Sequence, residues 1–243
     1  MTLAVFLGPV TGVAEGDMVV VEGDEARHAV VVRRIRVGEA IVLVDGSGTA
    51  ATCTVTGTTK KSLSASVSTV TVTPAPALHV TVVQAIPKGD RGELAVEVLT
   101  EVGVDRIVPW AAARSVGVWR GERADKSLAK WRATARESGK QSRRAWLPEV
   151  SAMMTTAEVA VLVDEADLAV VLHEAASCPL ASLPLEGVRS ILVVVGPEGG
   201  ITEEELTALG AAHVVRMGES VLRTSTAGVA AVAALLSRTS RWA

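Results

Sequence analysis

Ile191-Leu192-Val193-Val194-Val195-Gly196-Pro197-Glu198-Gly199-Gly200-Ile201 is the stretch on which the fold turns. Its first five residues are apolar without a break and end in a turn of three glycines and a proline. An uninterrupted apolar run rich in β-branched residues is the pattern of a strand covered on both faces, as in a parallel sheet between helices. Open α/β sheets bind ligands at the C-terminal ends of such strands. Glycines there let backbone amides approach a ligand closely. A second turn, Met217-Gly218-Glu219-Ser220-Val221-Leu222-Arg223, leads into an alanine-rich helix. Either turn alone is an ordinary strand-to-helix connection. The two together point to a small-molecule pocket built largely from backbone.

Working outward, the pattern predicts strands at His79–Ile86, Asp105–Pro109, Leu168–His173, Ser190–Val195 and Val214–Met217. They alternate with helices at Asp90–Val102, Asp125–Arg143, Thr156–Ala166, Thr202–Leu209 and Thr224–Thr239. Gly103 reads as a helix stop. Glu203, Glu204 and Glu205 suit the positive end of the helix dipole. Either Thr224 or Ser225 is placed to cap the last helix. This alternation predicts a mostly parallel sheet with helices on both faces. Before residue 70 the period is two. Met18–Val21, Ala40–Val44, Ala51–Val55 and Leu63–Val67 read as short strands, with one helix over Glu25–Val32. Strands so spaced suggest a small β-barrel. Thr69–Ala77, with Pro74 and Pro76, reads as a linker. The expected division is residues 1–72, a linker at 73–77, and an α/β domain over 78–243.

Composition narrows the function. Apolar residues are 49% of the 243 and charged residues 21%, which is globular. No apolar run reaches the roughly 20 residues of a membrane helix. The first residues lack the pattern of a signal peptide, so a cytoplasmic protein is expected. Cys53 and Cys178 are far apart and the four histidines are dispersed, so no metal site is expected. Net charge is -3, yet Arg114 to Glu149 holds ten Lys or Arg against four acids. From Val150 onward five basic residues face eleven acids. Such asymmetry predicts a basic face on a mildly acidic protein, suited to nucleic acid. Arg114, Arg120, Arg123, Lys140, Arg143 and Arg144 are its expected RNA contacts.

The turn at Gly196 lacks the Gly-Lys-Ser/Thr of a nucleotide-binding P-loop and the spacing of a dinucleotide fingerprint. Glu198 is placed to hold a hydroxyl or a cation. Arg223 sits beside the pocket, where a guanidinium meets phosphate or a base carbonyl.

These motifs, taken with others in order, resemble the SPOUT superfamily of RNA methyltransferases, and within it the bacterial family that forms 3-methyluridine in 16S rRNA. The shared parts span nearly the whole chain. They are His28 with Val32-Arg33-Arg34, Gly38-Glu39, Pro87-Lys88-Gly89-Asp90-Arg91, Glu101-Val102-Gly103-Val104, Arg114-Ser115, Lys130-Trp131, Glu137 to Arg143 with Pro148, and both glycine turns. The resemblance implies a PUA-like RNA-binding barrel followed by a SPOUT-type sheet with a C-terminal trefoil knot, over about 168–243. It implies S-adenosylmethionine held by three loops. These are Leu172, His173 and Glu174; then Val195, Gly196, Pro197, Gly199 and Gly200; then Met217, Gly218, Ser220, Val221 and Leu222. It adds Arg33, Arg34 and Arg91 to the RNA contacts and implies a homodimer acting on the small ribosomal subunit. For methyl transfer to uridine N3 it makes Arg223 the candidate that stabilises a uridine anion, with Glu198 as an alternative base. The sequence departs from the family pattern at Ser220, where Arg is common, and at Ser225, where Glu is common. Two other readings remain open: an RNA-binding or ribosome-assembly factor without catalysis, and a methyltransferase of this superfamily acting on another RNA.

Overall fold

The computed structural model describes residues 3–117 and 119–242. The chain forms two compact units. The first comprises Met1–Ala75 and Gly139–Leu147, and the second Pro76–Ser138 and Pro148–Ala243.

The first unit contains β1 (Ala4–Leu7), β2 (Met18–Glu22), α1 (Gly23–Arg27), a π-helical turn at His28–Val32, β3 (Ala40–Val44), β4 (Thr49–Thr58) and β5 (Ser62–Val72). The strands lie in the order β1-β3-β4-β5-β2, with β1 parallel to β3 and the other pairs antiparallel. Alternation places Ala51, Cys53 and Val55 of β4 with Leu63, Ala65 and Val67 of β5 in one core, around Phe6, Ile41 and Leu43. Register shifts at Thr52/Cys53 and Val55/Gly57 mark irregularities of the kind that bend long strands. The four strands expected here are present, three of them longer than expected. Residues 69–72 are not linker: Thr69 to Val72 pair with Thr52 to Thr49. β1, only four residues long, escaped the sequence reading.

Gly139–Leu147 joins this unit through specific bonds. Gly48 donates to the Ala145 carbonyl at 2.9 Å, and Leu147 donates to that of Gly46 at 2.9 Å. The Trp146 indole donates to the Thr73 carbonyl at 2.9 Å. Gly48 has φ +105, and a Cβ there would stand 2.6 Å from the Thr73 oxygen and 2.9 Å from the Trp146 ring. Only glycine fits that turn. No local pattern announces this segment's return, because its partners lie about a hundred residues earlier.

The second unit runs β6 (His79–Ala85), α2 (Arg91–Val102), β7 (Arg106–Trp110), α3 (Glu122–Gln141, in this unit as far as Ser138), β8 (Glu149–Val150), α4 (Thr156–Glu165), β9 (Leu168–Leu172), β10 (Cys178–Pro179), β11 (Ser190–Val195), α5 (Glu203–Ala208), β12 (His213–Arg216) and α6 (Thr224–Leu236). Its seven strands are ordered β10-β12-β9-β11-β6-β7-β8, and every pair is parallel. β11 therefore lies between β6 and β9, both earlier in the chain.

Alternation along β11 explains its continuous hydrophobicity. Ile191, Val193 and Val195 pack with Leu99 of α2, Trp131 of α3 and Val232 of α6. Leu192 and Val194 pack on the other face with Val159 and Val163 of α4. Each buried valine contributes about 1.5–3 kcal/mol. Helix starts follow their caps: Thr155 with Glu158 and Thr202 with Glu205 form reciprocal capping boxes. Gly103 ends α2 in the left-handed region at φ 104. At α6 the expectation was wrong. Arg223 is the N-cap residue and makes no side-chain cap, while Thr224 and Ser225 are buried in the first turn.

Candidate functional site

A cleft of about 340 Å³ opens at the C-terminal ends of β12, β9 and β11, three adjacent strands. Its walls come from the three loops leaving those strands and from the start of α6. Leu172 ends β9, and His173 and Glu174 follow it. Val195 ends β11, and Gly196, Pro197, Glu198, Gly200 and Ile201 follow it. Met217, Gly218, Glu219, Ser220, Val221 and Leu222 follow β12, and Arg223, Thr224 and Ala227 close the cleft from α6. Arg91, the first residue of α2, reaches the rim.

Local backbone needs explain the glycines. A Cβ on Gly196 would stand 2.7 Å from Ile201 Cγ1, so the turn closes over Ile201 only without a side chain. Gly200 (φ +76) and Gly218 (φ +153) occupy backbone conformations that side chains disfavour. A cradle of this kind presents amides and carbonyls rather than side chains. Among the described residues no cluster of His, Cys, Asp or Glu is arranged to hold a metal ion.

Several ties fix the loops. His173 donates its backbone N–H to Val215 at 2.9 Å, and its Nδ1 accepts from Ala175 N at 3.2 Å. Glu198 is exposed, and one carboxylate oxygen accepts a long 3.4 Å bond from Lys88 N. Gln84, fully buried, donates Nε2–H to the carbonyls of Ala85 at 3.1 Å and Thr224 at 3.2 Å. Buried Glu205 accepts from Ala113 N at 2.8 Å, Thr156 Oγ1 at 3.3 Å and Thr202 N at 3.0 Å, joining α5 to α4 and to the loop after β7. Sequence reasoning missed Gln84. Its one signal was an amide inside the apolar run His79–Ile86.

The residues expected around the cofactor thus come together, with one exception. Gly199 lies outside the lining. It faces Arg114, whose Cβ would be 2.9 Å from a Cβ at 199, and Arg114 Nη1 donates to the Gly199 carbonyl at 3.3 Å. Both residues expected to act in catalysis, Arg223 and Glu198, stand at the cleft.

The expected RNA contacts divide. Arg91, Arg114, Arg120 and Arg123 are exposed on the second unit. Arg33, Arg34 and Arg143 are exposed on the first. Arg144 is half-buried and donates Nε–H to Trp146 O at 2.8 Å. Lys140 is a correction. Its side chain is 2% exposed, and its ammonium bonds both oxygens of Glu25 at 2.9 and 3.0 Å. It serves the interior of the first unit and does not present a charge to RNA.

Residues 73–236 match the RNA methyltransferase domain, and residues 21–68 match the RNA methyltransferase PUA domain. The backbone-lined cleft therefore lies within a domain of the RNA methyltransferase class. The chain is 45% identical over 233 residues to ribosomal RNA small subunit methyltransferase E of Mycobacterium bovis, covering 93% of this chain and 89% of that one. It is 30% identical to the Bacillus subtilis protein of the same name, covering 88% of each. It belongs to the ribosomal RNA small subunit methyltransferase E family. A crystal structure of the Neisseria gonorrhoeae member, bound to S-adenosyl methionine, superposes with a TM-score of 0.87 over 98% of both chains at 28% identity.

Proposed function

We propose that this protein methylates N3 of a uridine in the 16S rRNA of the small ribosomal subunit, with S-adenosylmethionine as methyl donor. The observation that carries the reading is the cleft itself. Three loops at neighbouring strand ends form a backbone cradle, in a chain whose relatives are named for methylating small-subunit rRNA and include one with the donor bound.

The cradle suits the donor on physical grounds. Glycines at 196, 200 and 218 leave backbone groups free to bond an adenine edge and ribose, and Leu172, Val195, Met217 and Leu222 supply apolar wall. Bound there, S-adenosylmethionine supplies an electrophilic methyl group on a sulfonium.

The chain's own residues handle the uridine. N3 carries a proton at neutral pH, which must leave as the N–C bond forms. Arg223 at the mouth of the cleft stabilises the negative charge that develops on the flanking carbonyl oxygens. Glu198, exposed at the same rim, is the carboxylate we assign to receive the proton. Serine at 220 brings no charge to the substrate, and Ser225 is buried in α6, so neither replaces these two. Exposed arginines on each unit bind rRNA phosphates. A base must leave its stack to enter the cleft.

The insertion of β11 between β6 and β9 supports a C-terminal knot, and we assign the protein a homodimeric, cytoplasmic state in keeping with a ribosomal substrate. Nucleoside mass spectrometry of 16S rRNA, after incubation of unmethylated small subunits with protein and donor, tests the function. The expected product is 3-methyluridine. A different methylated nucleoside removes the N3 assignment. Absence of both product and donor binding makes the protein a non-catalytic RNA-binding factor.

A further inference from the structure

Apart from its four histidines, the chain is poor in rings able to stack on nucleobases: five tryptophans, one phenylalanine, no tyrosine. Most are committed elsewhere. Phe6 is in the core of the first unit, and Trp146 donates its indole N–H to Thr73 in that unit. In the second unit Trp110 is fully buried with its N–H on Thr156, and Trp131 is 2% exposed. Trp242 is half exposed but follows Arg241, which bonds Asp105 and the carbonyls of Leu78 and Gly103. Those residues precede β6 and β7, so Trp242 stands at the sheet edge opposite the cleft.

Trp119 differs. It is partly exposed and lies in the loop that leaves the C-terminal end of β7, the edge that carries the cleft. The same loop touches the glycine turn after β11, one wall of the cleft, and the chain leaving β6. Arg114 bonds the Gly199 carbonyl. Gly117 lies against Ile86 and the Pro87 carbonyl, where a Cβ would find atoms at 2.6 and 2.7 Å. Trp119 is held from beneath. Its ring meets Trp131 edge to face, with centroids 5.0 Å apart and planes at 81°. Trp131 in turn fills the space above Gly92, where a Cβ would be 2.8 Å from the indole nitrogen. Gly92 adjoins Arg91 on the cleft rim. Packing thus runs from rim to Trp131 to Trp119. Exposed Arg120 is its neighbour in sequence, and exposed Arg114 and Arg123 lie within five residues of it along the chain.

We propose that Trp119 is a stacking platform for a nucleobase next to the target uridine, holding the unstacked strand at the mouth of the cleft. A ring with one side packed and another open, on a loop that carries exposed arginines, is the arrangement by which proteins hold single-stranded RNA. This rests on the rRNA reading above and adds a substrate contact to it.

The test uses the full-length protein, unmethylated small ribosomal subunits and S-adenosylmethionine. Trp119→Ala is expected to raise KM for subunits about tenfold, with kcat little changed and donor affinity by calorimetry unaltered. Trp119→Phe, which keeps a ring, is expected to stay within about threefold of the unmutated protein. The Trp119→Ala effect should persist as salt is raised, while that of Arg120→Ala shrinks. An unchanged KM in Trp119→Ala overturns the proposal and leaves the methyltransferase reading standing. So does a Trp119→Phe protein as impaired as Trp119→Ala, or a parallel fall in donor affinity, since either assigns the ring to packing. If the unmutated protein methylates no subunit, the functional reading fails, and this proposal with it.

Discussion

The side-chain amide of Gln84 donates to the main-chain carbonyl of Thr224 at 3.2 Å, joining the end of β6 to the first turn of α6. Its second bond goes to the Ala85 carbonyl, and its oxygen Oε1 has no partner among the described residues. Both neighbours are acceptors, so the NH2 must face them. The bond fixes Thr224 beside Arg223, and both line the cleft. Gln84→Leu keeps the volume and removes the tie. Stability is expected to fall by about 1 kcal/mol, and S-adenosylmethionine affinity to fall severalfold as the turn loosens. Thermal melts and calorimetry check the two together. Unchanged affinity would show that the turn holds its place without Gln84.

Gly196 offers a sharper perturbation. A Cβ there meets Ile201 Cγ1 at 2.7 Å and Cδ1 at 3.1 Å, and Ile201 is buried. Gly196→Val must displace Ile201 or lift the turn from the cleft. Loss of saturable donor binding is expected in a protein that still folds, because the clash is confined to one loop end. Calorimetry with circular dichroism checks it. Wild-type affinity in a folded Gly196→Val protein would mean that this turn is not a wall of the donor site.

The fold was legible where burial follows period. β3 and β11 match their sequence-read bounds to the residue, because unbroken or alternating apolar runs bounded by turns leave little choice. Two-residue edge strands such as Glu149–Val150 and Cys178–Pro179 carry no period and were missed. Local periodicity says equally little about which strand lies beside which, so the place of β11 between β6 and β9 had to come from the structure. At the site, the glycine turns were legible because a backbone cradle writes itself in glycine. Lys140 was misread for the opposite reason. Its neighbours in sequence are basic and polar, and the carboxylate that takes it inside is Glu25, 115 positions away.

The buried Lys140–Glu25 pair makes its own prediction. Removing one partner of such a pair leaves an uncompensated charge in a low-dielectric interior and costs about 3–5 kcal/mol. Lys140→Ala should destabilise the first unit on that scale. In contrast with Arg120→Ala, it should leave the salt dependence of rRNA binding unchanged in protein that remains folded. Denaturant melts and binding over a salt series separate the two effects. A lower salt slope with unaltered stability would restore Lys140 to the RNA surface.

Asp167 predicts a pH dependence. Its carboxylate accepts the backbone N–H of Arg189 at 2.9 Å and of Ser190 at 3.0 Å, bracing the turn that leads into β11. The Arg189 N–H, aided by Ser190, holds its pKa below the ordinary 3.8. A carboxylate whose pKa is depressed by folding binds fewer protons folded than unfolded. Its stabilisation is therefore complete above the unfolded value and disappears as pH falls through the lower folded one. Asp167→Asn should be less stable than the unmutated protein by a constant margin from pH 7 to about pH 5. That margin should shrink below pH 3.8. Urea melts of both proteins across this range measure the difference directly. A margin at pH 3 as wide as at pH 7 would mean that Asp167 holds the turn equally well when protonated.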